Sequence, residues 1–165
     1  MDLTELATRL GMQLSALGAQ VTTAESCTGG GIAEAITRVA GSSAWFEAGY
    51  VTYSNAQKTR QLGVPVDLFE TVGAVSREVV ERMASGAQQV SGARFAVAVS
   101  GIAGPGGGTL EKPVGTVWIA WADGERLFAR RCLFDGDRQA VRGQTVETAL
   151  VGLIRLVAGE NPLQG

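Results

Sequence analysis

QVTTAESCTGGGIAEAITRV, residues 20–39, changes character twice along its length. Gln20 to Thr23 reads as a short strand, with β-branched residues in succession. Glu25 to Gly31 is a polar turn that ends in Gly29, Gly30 and Gly31. From Ile32 to Val39 the apolar residues return at helical spacing. A strand that feeds a helix through a glycine-rich turn is a building unit of α/β sheets.

The flanks extend this reading. Leu3, Leu6, Ala7, Leu10, Leu14 and Leu17 lie at helical spacing, and Gly18 is a natural stop. Downstream, Trp45 to Tyr53 reads as a strand, Ser54 to Lys58 as the start of a helix, and Pro65 to Glu70 as a short helix. Ser76 is placed to cap a helix running to about Val90. Arg94 to Val99 is a buried-strand candidate. Val114 to Ala122 and Arg126 to Phe134 form an expected hairpin that turns at Asp123-Gly124. Arg138 to Val157 is a long amphipathic helix. Early alternation of strands and helices, then a hairpin, predicts a three-layer α/β/α sandwich with a mixed, mostly parallel sheet. Residues 1–165 are expected to form one domain, with a tail frayed after about residue 159.

Composition excludes several chemistries. The 165 residues hold 14 basic and 16 acidic side chains, a net charge of −2, with no Lys/Arg run. No nucleic-acid partner is expected, because phosphate-backbone binding needs a concentrated basic face. The start lacks a signal-peptide pattern, and no apolar run approaches the ~18 residues of a membrane span. No membrane partner is therefore expected, and the reading is cytoplasmic. Cys27 and Cys132 are the only cysteines and there is no histidine. A Ser-His-Asp triad and a His-ligated zinc are excluded within the chain. A side-chain base must then be Lys, Tyr, Asp, Glu or a thiolate.

Four clusters remain as candidate chemistry. Ser26-Cys27-Thr28-Gly29-Gly30 suits a nucleophile exposed at a helix start, with backbone amides nearby as an oxyanion hole. The same residues also suit a helix cap followed by packing glycines. Cys27 is a rival nucleophile, read as structural for want of a histidine. Tyr53-Ser54-Asn55 with Lys58 offers a lysine base if burial lowers its pKa, or a solvated helix lysine. Ser100 to Gly108, with Lys112 to Gly115, is a glycine-rich loop after a strand end, able to wrap a ligand. Arg138 and Arg142, four apart on one helix face, suit either a phosphate or pairing with surface carboxylates, the latter being the commoner arrangement.

Taken in order, these blocks resemble the CinA C-terminal domain family. They are Ala24-Glu25-Ser26-Cys27-Thr28-Gly29-Gly30, Tyr53-Ser54-Asn55 with Lys58, Gly73-Ala74-Val75-Ser76, Ser100 to Gly107, Lys112 to Val117, and Gly136-Asp137-Arg138 with Arg142. The resemblance runs from about residue 3 to 157. It implies an α/β/α sandwich and an amidase converting nicotinamide mononucleotide (NMN) to nicotinic acid mononucleotide and ammonia, with no metal or cofactor. It places the nucleophile on Ser26, with Lys58 and Tyr53 as catalytic partners. Arg142 matches a basic position assigned to the substrate phosphate. Thr28, Gly29, Gly30, Ser100, Gly104, Gly106 and Gly107 are the other expected substrate contacts.

Some family members carry an N-terminal domain with pyrophosphatase activity, which is not expected here. A homodimer is expected from the family and from the surplus of apolar residues. The alternative is a non-catalytic nucleotide-binding module linked to competence or DNA repair.

Overall fold

A computed structural model describes residues 1–164. The elements run α1 (Leu3–Leu17), β1 (Val21–Glu25), α2 (Gly31–Thr37), β2 (Phe46–Val51), α3 (Asn55–Leu62), α4 (Val66–Thr71), α5 (Arg77–Ser91), β3 (Phe95–Gly101), β4 (Thr116–Asp123), β5 (Arg126–Leu133) and α6 (Arg138–Val157). A 3₁₀ turn at Ser42–Ala44, which the sequence does not announce, leads into β2.

The sheet order is β2-β1-β3-β4-β5. β1 pairs parallel with β2 and β3, whereas β3–β4 and β4–β5 are antiparallel. The sheet is therefore mixed, and only β4 runs against the other strands. The chain leaves β1 toward β2 on one side and returns to pair β3 on the other. This reversal opens a crevice at the carboxyl ends of β1 and β3, where open α/β sheets take ligands.

Side-chain alternation sorts the two faces. Phe95, Val97, Val99, Val117, Ile119 and Trp121 pack against α1, α2 and α6. Ala96, Ala98, Ala120 and Ala122 face α3, α4 and α5. Bulky residues fill one layer, while alanines on the other let α5 approach closely. The same closeness fixes Gly86 in α5, because a Cβ there would collide with the Leu62 carbonyl at the end of α3. The helix accepts the roughly 1 kcal/mol cost of an interior glycine to seat α3.

The expected cap at Ser76 is present, its hydroxyl accepting from the Val79 amide at 3.3 Å. The β4–β5 hairpin turns at the expected Asp123-Gly124. The described part of the tail makes contacts with the body of the domain. The Glu160 amide donates to the Arg155 carbonyl at 2.8 Å, a turn spans Asn161 to Gln164, and Pro162 is buried in the wall of a cavity beside Trp121. Gly165 lies outside the described residues.

Candidate active site

β1 runs two residues further than its sequence suggests, so Ser26 follows the strand directly. Parallel pairing sets Glu25 opposite Val51, which brings the chain after β2 alongside the serine. There Ser54 caps α3 through the Gln57 amide, and the first turn of that helix carries Lys58 inward.

Lys58 is 1% exposed. Its Nζ lies 3.1 Å from Ser26 Oγ and donates to the Tyr53 carbonyl at 2.9 Å. Among the described residues no carboxylate pairs with it. Burial without a counter-charge pushes its pKa down to about 8. A neutral amine has both donors and a lone pair, so it can donate to the carbonyl and still accept the serine proton. The second acceptor near Ser26 Oγ, the Tyr53 carbonyl at 3.5 Å, is too distant to compete well.

Tyr53 enters this geometry by its main chain. Its phenol is exposed and accepts from Arg138 Nη2 at 3.0 Å. Cys27, next to Ser26, is buried, and that burial pushes its thiol up to about 11. It therefore stays protonated near neutral pH, which disfavours it as a nucleophile.

Glu25 organises the turn, and the sequence reading missed this role. Its carboxylate is buried and accepts from Thr28 Oγ1 at 2.5 Å and from the Ile32 and Ala33 amides at 2.9 and 3.0 Å. The start of α2 is thus capped from within the chain, by a side chain lying six residues before the helix begins. The usual signal, Ser/Thr/Asp/Asn just before the first turn, is replaced by Gly30. Glu25→Ala leaves two buried donors and one partly buried donor without partners and is expected to destabilise by about 1–2 kcal/mol. Urea unfolding of the variant checks this, and an unchanged midpoint would rule the anchoring out.

The Gly29 and Gly31 amides are taken by the Ser26 and Thr28 carbonyls, at 3.0 Å each. The Cys27, Thr28 and Gly30 amides have no protein acceptor among the described residues. Thr28 itself is buried, its hydroxyl committed to Glu25.

A cavity of about 300 Å3 opens on this assembly. Ser26, Lys58, Ser100, Gly104, Gly106 and Gly107 stand in its wall, together with Tyr53. Thr28, Gly29, Gly30 and Arg142 do not line it. Asn55, Ala74, Val75 and Arg138 line it and were not among the expected contacts. Lys112 Nζ donates to the Val72 carbonyl at 2.6 Å, tying the glycine-rich loop to the segment just before Ala74 and Val75.

The arginines depart from the surface-carboxylate arrangement. Arg142 donates to the Cys27 and Thr28 carbonyls at 3.1 and 3.3 Å, and Arg138 donates to the Gly104 carbonyl at 2.8 Å. Both grip the loops of the site rather than acids. Among the described residues no three His, Cys, Asp or Glu side chains cluster as metal ligands.

Comparison with known proteins agrees with this architecture. The CinA C-terminal domain family model matches residues 3–157. A Pseudomonas putida protein named "Nicotinamide-nucleotide amidohydrolase PncC" is 75% identical over 154 residues, covering 93% of this chain and 96% of that protein. The protein of the same name from Escherichia coli K12 is 54% identical, covering 90% of this chain and 91% of its own. A crystal structure of the competence/damage inducible protein CihA from Agrobacterium tumefaciens superposes with a TM-score of 0.92 at 49% identity. It covers 94% of this chain and 96% of that one.

Proposed function

The chain belongs to the CinA C-terminal domain family, and we propose from this that it deamidates NMN through a serine nucleophile and a lysine base. The observation that carries the mechanism is the buried, acid-free Lys58 at 3.1 Å from Ser26.

Neutral Lys58 takes the Ser26 proton as Oγ attacks the carboxamide carbon, and the Tyr53 carbonyl holds the amine in line. The Cys27 amide, on the cavity wall, supplies an oxyanion donor, worth roughly 3–4 kcal/mol in other hydrolases. Protonated Lys58 then gives its proton to the departing nitrogen, ammonia leaves, and water cleaves the acyl-enzyme by the same route in reverse. In this reading the Tyr53 phenol belongs to the substrate wall of the site. Ser100 and the Gly104 to Gly108 loop border the ribose, and Arg142 borders the neighbouring cavity that receives the phosphate.

Among the described residues no helix is long and apolar enough to cross a membrane. Two free cysteines suit a reducing compartment, so the reading includes a cytoplasmic enzyme. Exposed apolar side chains such as Leu133 and Val66 suit a homodimer.

Ammonia release from NMN in the presence of chelator tests the activity. Turnover is expected, with an acid limb in kcat/KM near pH 8, because only neutral Lys58 accepts a proton. Absence of turnover while the nucleotide still binds would favour the non-catalytic module.

A further inference from the structure

Arg138 takes no part in the steps above, yet it stands where the site divides. It is the one charged side chain shared by the serine cavity and a neighbouring cavity of about 500 Å3, among the described residues. Arg142, Asp137 and the first turn of α6 line that second cavity, and the Asp137 carboxylate accepts from the Ala140 amide as the helix cap. The Arg138 guanidinium is exposed and touches only neutral acceptors, the Gly104 carbonyl and the Tyr53 hydroxyl, at 2.8 and 3.0 Å. No acid within ion-pair distance offsets its charge among the described residues.

We propose that Arg138 determines specificity by engaging the substrate's phosphate in the larger cavity while the carboxamide sits beside Ser26. This rests on the amidohydrolase reading. A guanidinium held by neutral oxygens can exchange one of them for a phosphate oxygen, and charge-assisted bonds are about twice as strong as neutral ones. The exposed Tyr53 phenol is the partner that gives way, since water can replace the guanidinium there. The Gly104 carbonyl keeps the arginine aimed between the cavities. Arg142 has Nε and Nη2 committed to the serine turn, so it adds positive charge to the cavity wall with less freedom to follow a ligand.

The test compares kcat/KM for NMN and for nicotinamide riboside in wild type, R138A and R138K. The preference for the nucleotide should fall at least tenfold in R138A, mainly through KM, and recover partly in R138K. A purely structural role would depress both substrates together, and an unchanged preference would overturn the proposal. Should R138A not fold, R138K carries the same comparison, because a lysine lacks the fork that grips two oxygens.

Calorimetric binding of ribose 5-phosphate separates this proposal from the activity it rests on. Weaker binding to the Arg138 variants supports the phosphate site even if wild type releases no ammonia. Equal binding to wild type and variants refutes it even if wild type is active.

Discussion

Ser26→Ala and Lys58→Ala are each expected to lower kcat for ammonia release by roughly a thousandfold or more, and the double variant by little beyond either. The hydroxyl and the amine face each other at 3.1 Å, and neither has another strong partner for the shared proton. Without Lys58 the serine is an unactivated alcohol; without Ser26 the amine has no proton to take. Members of one proton-transfer unit give non-additive losses. Residual turnover in both single variants should reflect the oxyanion amide and binding alone. Near-normal turnover of Ser26→Ala would end the serine mechanism, and additive losses would show the two groups acting separately.

Lys58→Met, inactive by the same reasoning, is expected to be more stable than wild type by about 2–3 kcal/mol at pH 6–7. An unfolded lysine keeps its proton up to about pH 10.4, whereas folded Lys58 loses it near 8. Between those values the unfolded chain binds more protons, so wild-type stability rises with pH. Below pH 8 the cost of burying the amine is present in full. At 1.36 kcal/mol per pKa unit it comes to about 3 kcal/mol. Methionine fills a similar volume with no charge to desolvate, and the lost hydrogen bond to the Tyr53 carbonyl returns only about 1 kcal/mol. Urea midpoints across pH should show the variant's advantage shrinking between about pH 8 and 10. A variant less stable throughout would mean that Lys58 holds the site together rather than straining it.

Local grammar in the chain made the elements readable. Ser76 before α5, Asp123-Gly124 between β4 and β5, and the leucine spacing of α1 each act over a few residues. Contacts across the sheet were another matter. The sequence offers Ser26 and Lys58 as candidates, but their meeting depends on the β1–β2 register. Tyr53 is conspicuous as a phenol, whereas the lysine is held by its carbonyl, an atom every residue has. Glu25 was hidden for a related reason, since it caps a helix from the far side of a turn. Arg138 and Arg142 matched the spacing of surface ion pairs, and only the fold shows them bonded to main-chain oxygens.

The reliance of the serine turn on Arg142, which follows every strand in chain order, bears on how the protein is made. Ser26 and Lys58 both emerge from the ribosome well ahead of the arginines on α6. Until that helix is synthesised, the Cys27 and Thr28 carbonyls lack their clamp, and the sheet face that α6 covers is bare. A product released before Arg138 would carry Ser26 and Lys58 but neither arginine. Prematurely terminated chains should therefore be inert rather than poorly selective, with their apolar layer open to chaperones and proteases.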